Sequence, residues 1–228
     1  MRPIARAVIA LATMSALVAC DDDTTGPTEF GRLRAVNAVT DVAQMDVLFN
    51  NSTYTTDLAF KGTDGYDEVS TGANIVKFRE ANATTDLHSA NLTVINGGRY
   101  TAVSIGTKAA PQSFVLTDDG ADPAAGKVKL RLAHGAAGVG AVDVYILANI
   151  DELANATPVK ANLAVKTASE YFVRDAGTYV VVYTTAGTKT PVLTISNLQR
   201  AAGSVGTIVA VEKAGGGQPL ESVLLADK

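Results

Sequence analysis

The sequence predicts an all-β chain, two tandem immunoglobulin-like β-sandwich domains behind a secretory leader. One observation is a repeat. Arg32–Phe49 (RLRAVNAVTDVAQMDVLF) recurs 97 positions later (129 minus 32) as Lys129–Ile146 (KLRLAHGAAGVGAVDVYI). The copies share Leu33/Leu130, Arg34/Arg131, Val42/Val139, Asp46/Asp143 and Val47/Val144. A repeated strand–loop–strand unit signals two copies of one domain. A second observation is the chain's many short apolar runs, broken by Gly, Asn and Asp turns with no long stretch of helical period. The third is composition: 20 Gly and no Trp in 228 residues, with Val, Thr and Ala abundant, which suits strands and tight turns.

Composition also excludes function classes. With 47% hydrophobic and 18% charged residues, a packed core is expected and general disorder is not. A formal charge of −4 without a Lys/Arg cluster argues against nucleic acid, whose phosphates demand clustered cations. One Cys and two His rule out a disulfide framework and a His/Cys zinc site. No cofactor is expected.

Residues 1–19 form the leader. Arg2 and Arg6 precede an apolar run from Ala7 to Ala19, the layout of a secretory signal and too short for a comfortable membrane span. Leu17-Val18-Ala19-Cys20 resembles the lipobox of bacterial lipoproteins. The resemblance implies cleavage before Cys20, lipidation of its thiol and attachment to a membrane facing the periplasm or exterior. Residues 20–28 then form an acidic tether through Asp21, Asp22 and Asp23; three adjacent carboxylates lack the spaced oxygens and Gly turn of a calcium loop. Asp after the lipidated Cys resembles the inner-membrane retention signal of enteric bacteria, and the choice of membrane stays open.

The first sandwich is expected over residues 29–119. In its opening unit Leu33, Ala35, Met45, Val47 and Phe49 alternate with polar positions, the period of a half-buried strand. Further strands are expected at Thr53–Phe60, Tyr66–Ser70, Ile75–Arg79, Ala90–Ile95, Tyr100–Ile105 and Ser113–Leu116. Asn96-Gly97 between apolar runs marks a hairpin, since both residues tolerate positive φ. Residues 120–126 are Gly/Pro-rich and form the linker. Asp118, Asp119 and Asp122 read there as turn residues, not metal ligands.

The second sandwich is expected over residues 127–228. Its strands are Val128–Ala133, Val142–Leu147, Val159–Val165, Glu170–Val173, Thr178–Thr184, Val192–Ser196, Gly206–Glu212 and Ser222–Leu225, with one helical turn at Ile150–Asn155 that the first repeat lacks. The ends of the repeats also match, Ser113–Asp118 (SFVLTD) against Ser222–Asp227 (SVLLAD), so the duplication spans whole domains.

His134 and the Val142-Asp143-Val144-Tyr145 run resemble the opening of a bacterial envelope domain, domain-of-unknown-function family 4397, in which a strand leads into His-Ala-Ser-Pro-Asp-Ala-Pro-x-Val-Asp-Val-Tyr. Both prolines and the loop Asp are replaced here. Thr157-Pro158-Val159, Tyr171 and Ala176-Gly177-Thr178-Tyr179 also fit. In the first repeat Asn37 stands for the His, while Asp41 and Met45-Asp46-Val47 are kept. The resemblance implies an immunoglobulin-type sandwich in secreted or lipidated proteins and no established activity.

No catalytic constellation emerges. His134 has no nucleophile elbow or neighbouring Ser, and reads as a loop anchor like Asn37. His88 reads as a surface loop residue. Gly135, Gly138 and Gly140 precede a strand instead of a helix, so no phosphate cradle forms. Asp64, Asp67 and Glu68 read as a solvated turn. The repeated Arg34/Asp46 and Arg131/Asp143 are expected to form a cross-strand ion pair, or an Asp bond to loop backbone. The leading expectation is a non-catalytic envelope module binding a protein or glycan through its end loops; the alternatives are a structural spacer or surface-layer component, and third a weak hydrolase centred on His134. The seven tyrosines discriminate the first two, because an exposed aromatic face suits a platform and burial suits a spacer.

Overall fold

The computed structural model describes residues 29–228; the leader, Cys20 and the Asp21–Asp23 tether lie outside the described residues. Repeat one carries β1 (Phe30–Val39), β2 (Gln44–Phe49), β3 (Ser52–Ala59), β4 (Asp67–Ser70), β5 (Gly72–Glu80), β6 (Asp86–Val94), β7 (Arg99–Thr107) and β8 (Ala110–Thr117). They form two sheets, ordered β4-β1-β7-β8 and β3-β2-β5-β6. Repeat two carries β9 (Lys127–His134), β10 (Val142–Leu147), a 3₁₀ turn (Ile150–Ala154), β11 (Lys160–Leu163), β12 (Thr167–Ala168), β13 (Phe172–Asp175), β14 (Gly177–Thr185), β15 (Pro191–Arg200), β16 (Val205–Val211) and β17 (Glu221–Ala226). Its sheets run β12-β9-β16-β17, with β13 also on β9, and β11-β10-β14-β15. The chain is therefore two β-sandwiches of immunoglobulin type, each with its first strand parallel to its penultimate one.

Alternation fills each sandwich. Leu33, Ala35, Met45, Val47, Val76, Phe78 and Tyr100 share one core; Leu130, Leu132, Val142, Val144, Val181, Tyr183 and Ile208 share the other. Sequence alternation suggested a half-buried first strand, but β1 is buried on both faces. The reason is a third core between the repeats. Val36, Ala38, Val103, Ile105, Phe114 and Leu116 pack there against Ala133, Val209, Val211, Val223 and Leu225. The two inner sheets thus lie face to face, and burying each Val, Leu, Ile or Phe contributes about 1.5–3 kcal/mol.

The Ile150–Ala154 insertion has a packing purpose. Leu153 covers Tyr145, Leu147 and Val182 on the outer sheet of repeat two, making a small fourth core. In repeat one, β2 and β5 place Leu48 and Lys77 at the positions of Tyr145 and Val182, so that face needs no cover. Strand ends moved where turn chemistry intervened: the expected Val159–Val165 shortens to β11, β12 follows as a separate two-residue strand, and β15 runs on to Arg200.

Candidate functional site at the junction of the repeats

The junction has two ends. β1, β7, β9 and β16 all begin at one and finish at the other. At the starting end, Arg34 on β1 donates from Nε to Thr101 Oγ1 at 2.7 Å and from Nη1 to the Ala226 carbonyl at 2.5 Å. Its Nη2 meets Asp227 Oδ1. Arg131 on β9 repeats each contact: Nε to Thr207 Oγ1 at 2.8 Å, Nη1 to the Thr117 carbonyl at 2.7 Å and Nη2 to Asp118 Oδ1. Each arginine therefore takes its threonine from its own repeat and its carboxylate from the other. Each carboxylate is then completed by its own repeat: Asp118 Oδ2 accepts from Tyr66 at 2.7 Å and Thr101 at 2.5 Å, and Asp227 Oδ2 from Tyr171 and Thr207 at 2.7 Å. The guanidinium of Arg34 lies 4.5 Å from the Tyr66 ring centroid, and that of Arg131 lies 4.6 Å from Tyr171. Burial and the adjacent carboxylates push both tyrosine hydroxyls well above their ordinary range, which keeps them as neutral donors.

Both aspartate side chains have 0% exposure and the arginines 4% and 6%. Two positive and two negative charges cancel, and every group is satisfied on several sides. Such a cluster adds little net stability, because desolvation offsets its attraction. The apolar core supplies the affinity between repeats, and the charges fix their register. Removing one partner is a different matter, since it strands a buried charge.

Of the two expected arrangements, this geometry overturns the ion pair of Arg34 with Asp46 and of Arg131 with Asp143 and shows the Asp bond to loop backbone. The arginines face the other repeat from the inner sheets, whereas Asp46 and Asp143 lie on β2 and β10 of the outer sheets, so each sandwich separates them. Asp46 instead accepts the N–H groups of Asp57 and Asn82, and Asp143 those of Asn162 and Gly187. The aspartates are loop anchors. Their true counterparts, Asp118 and Asp227, carried a signal in the matching repeat ends, but the turn-rich stretch after Asp118 read as a solvated linker.

His134 is fully buried. Its Nε2 lies 2.9 Å from the Gly140 carbonyl, and its Nδ1 accepts from the Ala136 N–H at 3.4 Å. These contacts assign the neutral ring protonated at Nε2, and burial lowers its pKa. Asn37 has the same relation to its loop, donating to the Val42 carbonyl at 3.1 Å and accepting from the Val39 N–H at 3.2 Å. His88 departs from expectation: it sits in β6, stacked on Phe78 at 4.7 Å, and burial pushes its pKa down to about 4. Asp64 is not a freely solvated turn residue either. Its Oδ1 accepts the Ala35 N–H at 2.6 Å, strapping the 61–66 loop to β1, and burial raises its carboxyl to about 6. Among the described residues, no group of three His, Cys, Asp or Glu side chains is placed to hold a metal ion.

At the finishing end, loops of both repeats meet. The Thr40 carbonyl accepts from the Gly215 N–H at 2.9 Å. Glu212 accepts from Gly138 at 3.1 Å and Gly217 at 3.0 Å. Gly215, Gly216 and Gly217 all have positive φ, which residues with a Cβ adopt only with strain. Beside this clasp is an open groove of about 500 Å³, lined by Thr40, Asp41, Val42, Ala43, Ala59 and Phe60 from repeat one and Ala214 from repeat two. None of the seven tyrosines is exposed.

Two solved structures are similar to the chain at low level. One is the crystal structure of CBMbc (family CBM26) from Eubacterium rectale Amy13K in complex with maltoheptaose, at 8% identity, TM-score 0.29, covering 87% of this chain and 97% of that one. The other is the Bacillus anthracis TIE protein, at 13% identity, TM-score 0.26, covering 87% and 44%. Likeness of this degree says nothing about activity. No curated protein matches the chain. The family described as Domain of unknown function (DUF4397) matches residues 31–145, spanning repeat one and the opening strand–loop–strand unit of repeat two, with its arginine, His134 and Asp143; the chain belongs to this family.

Proposed function

We propose that the protein is a non-catalytic lipoprotein of the bacterial cell envelope, held to a membrane through Cys20, which binds an envelope protein or glycan at the finishing-end loops. Both repeats belong to the one family in this reading, the second as a diverged copy. The observation that carries it is the convergence of loops from both repeats beside a groove of repeat one that Ala214 of repeat two borders. Binding residues concentrate on loops positioned by rigid scaffolds, and here the scaffold is clasped at both ends. His134 supports the non-catalytic part, since both ring nitrogens serve the loop backbone. The test is crosslinking and pull-down from native membranes, comparing wild type with Ala43→Arg and Ala214→Arg, which fill the groove from either repeat. Partners lost in both variants support the reading, and an unchanged set contradicts it. The structural spacer remains the second reading, favoured by the absence of any exposed tyrosine.

A further inference from the structure

The repeats differ at one place where their backbones agree. In repeat one the Gly97 N–H donates to the Phe30 carbonyl and the Gly98 N–H to that of Ile95; in repeat two the Gly203 N–H donates to Lys127 and the Ser204 N–H to Ala201. These four bonds make Phe30 the counterpart of Lys127, and Ile95 the counterpart of Ala201. Repeat two thus carries a cation and a methyl at positions where repeat one carries two large apolar side chains. Ile95 is 63% exposed, the highest among the large hydrophobic side chains of the described residues, and Phe30 is 37% exposed. Neither fills the core. The turn between them is held tightly: a Cβ on Gly31 would meet Val94 Cγ1 at 2.5 Å, and the Ile95 N–H donates to Tyr100 Oη at 3.1 Å.

This rim lies where the described chain begins, and Cys20 stands ten positions before Phe30. Ten residues reach at most about 36 Å, so a lipid on Cys20 keeps the rim within that distance of the bilayer. Resting on the lipid-anchor reading, we propose that Phe30 and Ile95 form a membrane-contacting rim that seats the tethered end of repeat one on the lipid surface. β1 then carries its loops away from the bilayer by about 33 Å, ten residues at strand rise. The finishing-end groove faces outward. The contact is apolar in character: of the nearby cations, Arg32 pairs with Glu68, Lys127 with Asp175 and Lys228 with Asp122, while Arg99 lies over the Tyr66 ring and donates to the Asp227 carbonyl. Lipid charge and salt therefore have little effect on seating.

The chain has no Trp, so a single introduced one reports depth without background. Lipidated full-length protein carrying Ile95→Trp, or the milder Phe30→Trp, is placed in phosphatidylcholine vesicles with brominated acyl chains, beside Ala214→Trp at the opposite end. The rim variants are expected to emit at shorter wavelength and lose most of their emission, while Ala214→Trp stays at the solvent wavelength and unquenched. Repeating the measurement with one-third phosphatidylglycerol leaves the result unchanged. Vesicle-bound protein with unquenched rim tryptophans overturns the proposal, as does equal quenching at both ends. Failure of the anchor reading is seen separately, as Cys20→Ser protein that fractionates with membranes as wild type does and has the same mature mass.

Discussion

Replacing Asp227 with Ala removes the only carboxylate among the described residues in direct hydrogen-bond contact with Arg34, and two acceptor contacts, those to Tyr171 and Thr207. The guanidinium stays buried, with Asp118 Oδ2 at 3.7 Å as its remaining counter-charge. Breaking a buried pair by deleting one member costs about 3–5 kcal/mol, and the residual Asp118 contact places Asp227→Ala near the lower end. Arg34→Met deletes the stranded charge, so the double variant recovers part of the loss. The expected coupling is about 2 kcal/mol, within the range for residues in one network. Urea unfolding of wild type, both single variants and the double variant measures it, provided the m-value is unchanged. Symmetry adds a control: Asp118→Ala with Arg131→Met yields a similar coupling. Additivity within about 0.5 kcal/mol in either cycle refutes the reciprocal pairing.

Other consequences follow from single groups. Burial depresses the pKa of His88 from 6.5 to about 4, so its contribution is complete above pH 6.5 and is lost as pH falls through 4; His88→Leu flattens stability across that window by about 1–3 kcal/mol, read by urea unfolding at each pH. Asp64 has the opposite sign, with its folded pKa raised from 3.8 to about 6: its contribution is complete below pH 3.8 and lost as pH rises through 6. Asp64→Asn is therefore expected to stabilise by about 1 kcal/mol at pH 7 relative to its effect at pH 4, and an equal effect at both values contradicts this. Asp143→Ala leaves the Asn162 and Gly187 N–H groups without their carboxylate acceptor and costs about 1–3 kcal/mol, with faster amide exchange confined to those loops. Cys20→Ser is expected to shift the protein from membrane to soluble fractions or leave it uncleaved, checked by fractionation and mature mass.

Much of the fold was legible because strand alternation and turn chemistry act locally. The 97-residue offset aligned β1–β2 with β9–β10, and the equivalence of Asn37 and His134 as loop anchors followed from it. What escaped the sequence was anything set by packing between repeats. Arg34 looked outward-facing because alternation distinguishes two faces without saying what covers each, and a second sandwich covers this one. Its nearest repeated carboxylate, Asp46, was the wrong partner for the same reason. Asp118 and Asp227 stand at strand ends, where Asp ordinarily means a turn. Their pairing across 193 and 13 residues left no local trace beyond the duplicated ending. The groove was equally hidden, since Ala214 joins Thr40 to Ala43 only after the repeats dock.

The central claim is that reciprocal Arg–Asp pairs over an apolar junction make the two sandwiches one rigid body. Pulsed dipolar spectroscopy tests it directly, with spin labels at Ser89→Cys and Thr194→Cys in a Cys20→Ser background. Both label sites are exposed, one on the outer sheet of each repeat. A single narrow distance distribution is predicted, broadening when Asp118→Ala and Asp227→Ala are combined. A broad distribution in the otherwise unaltered protein would contradict the account.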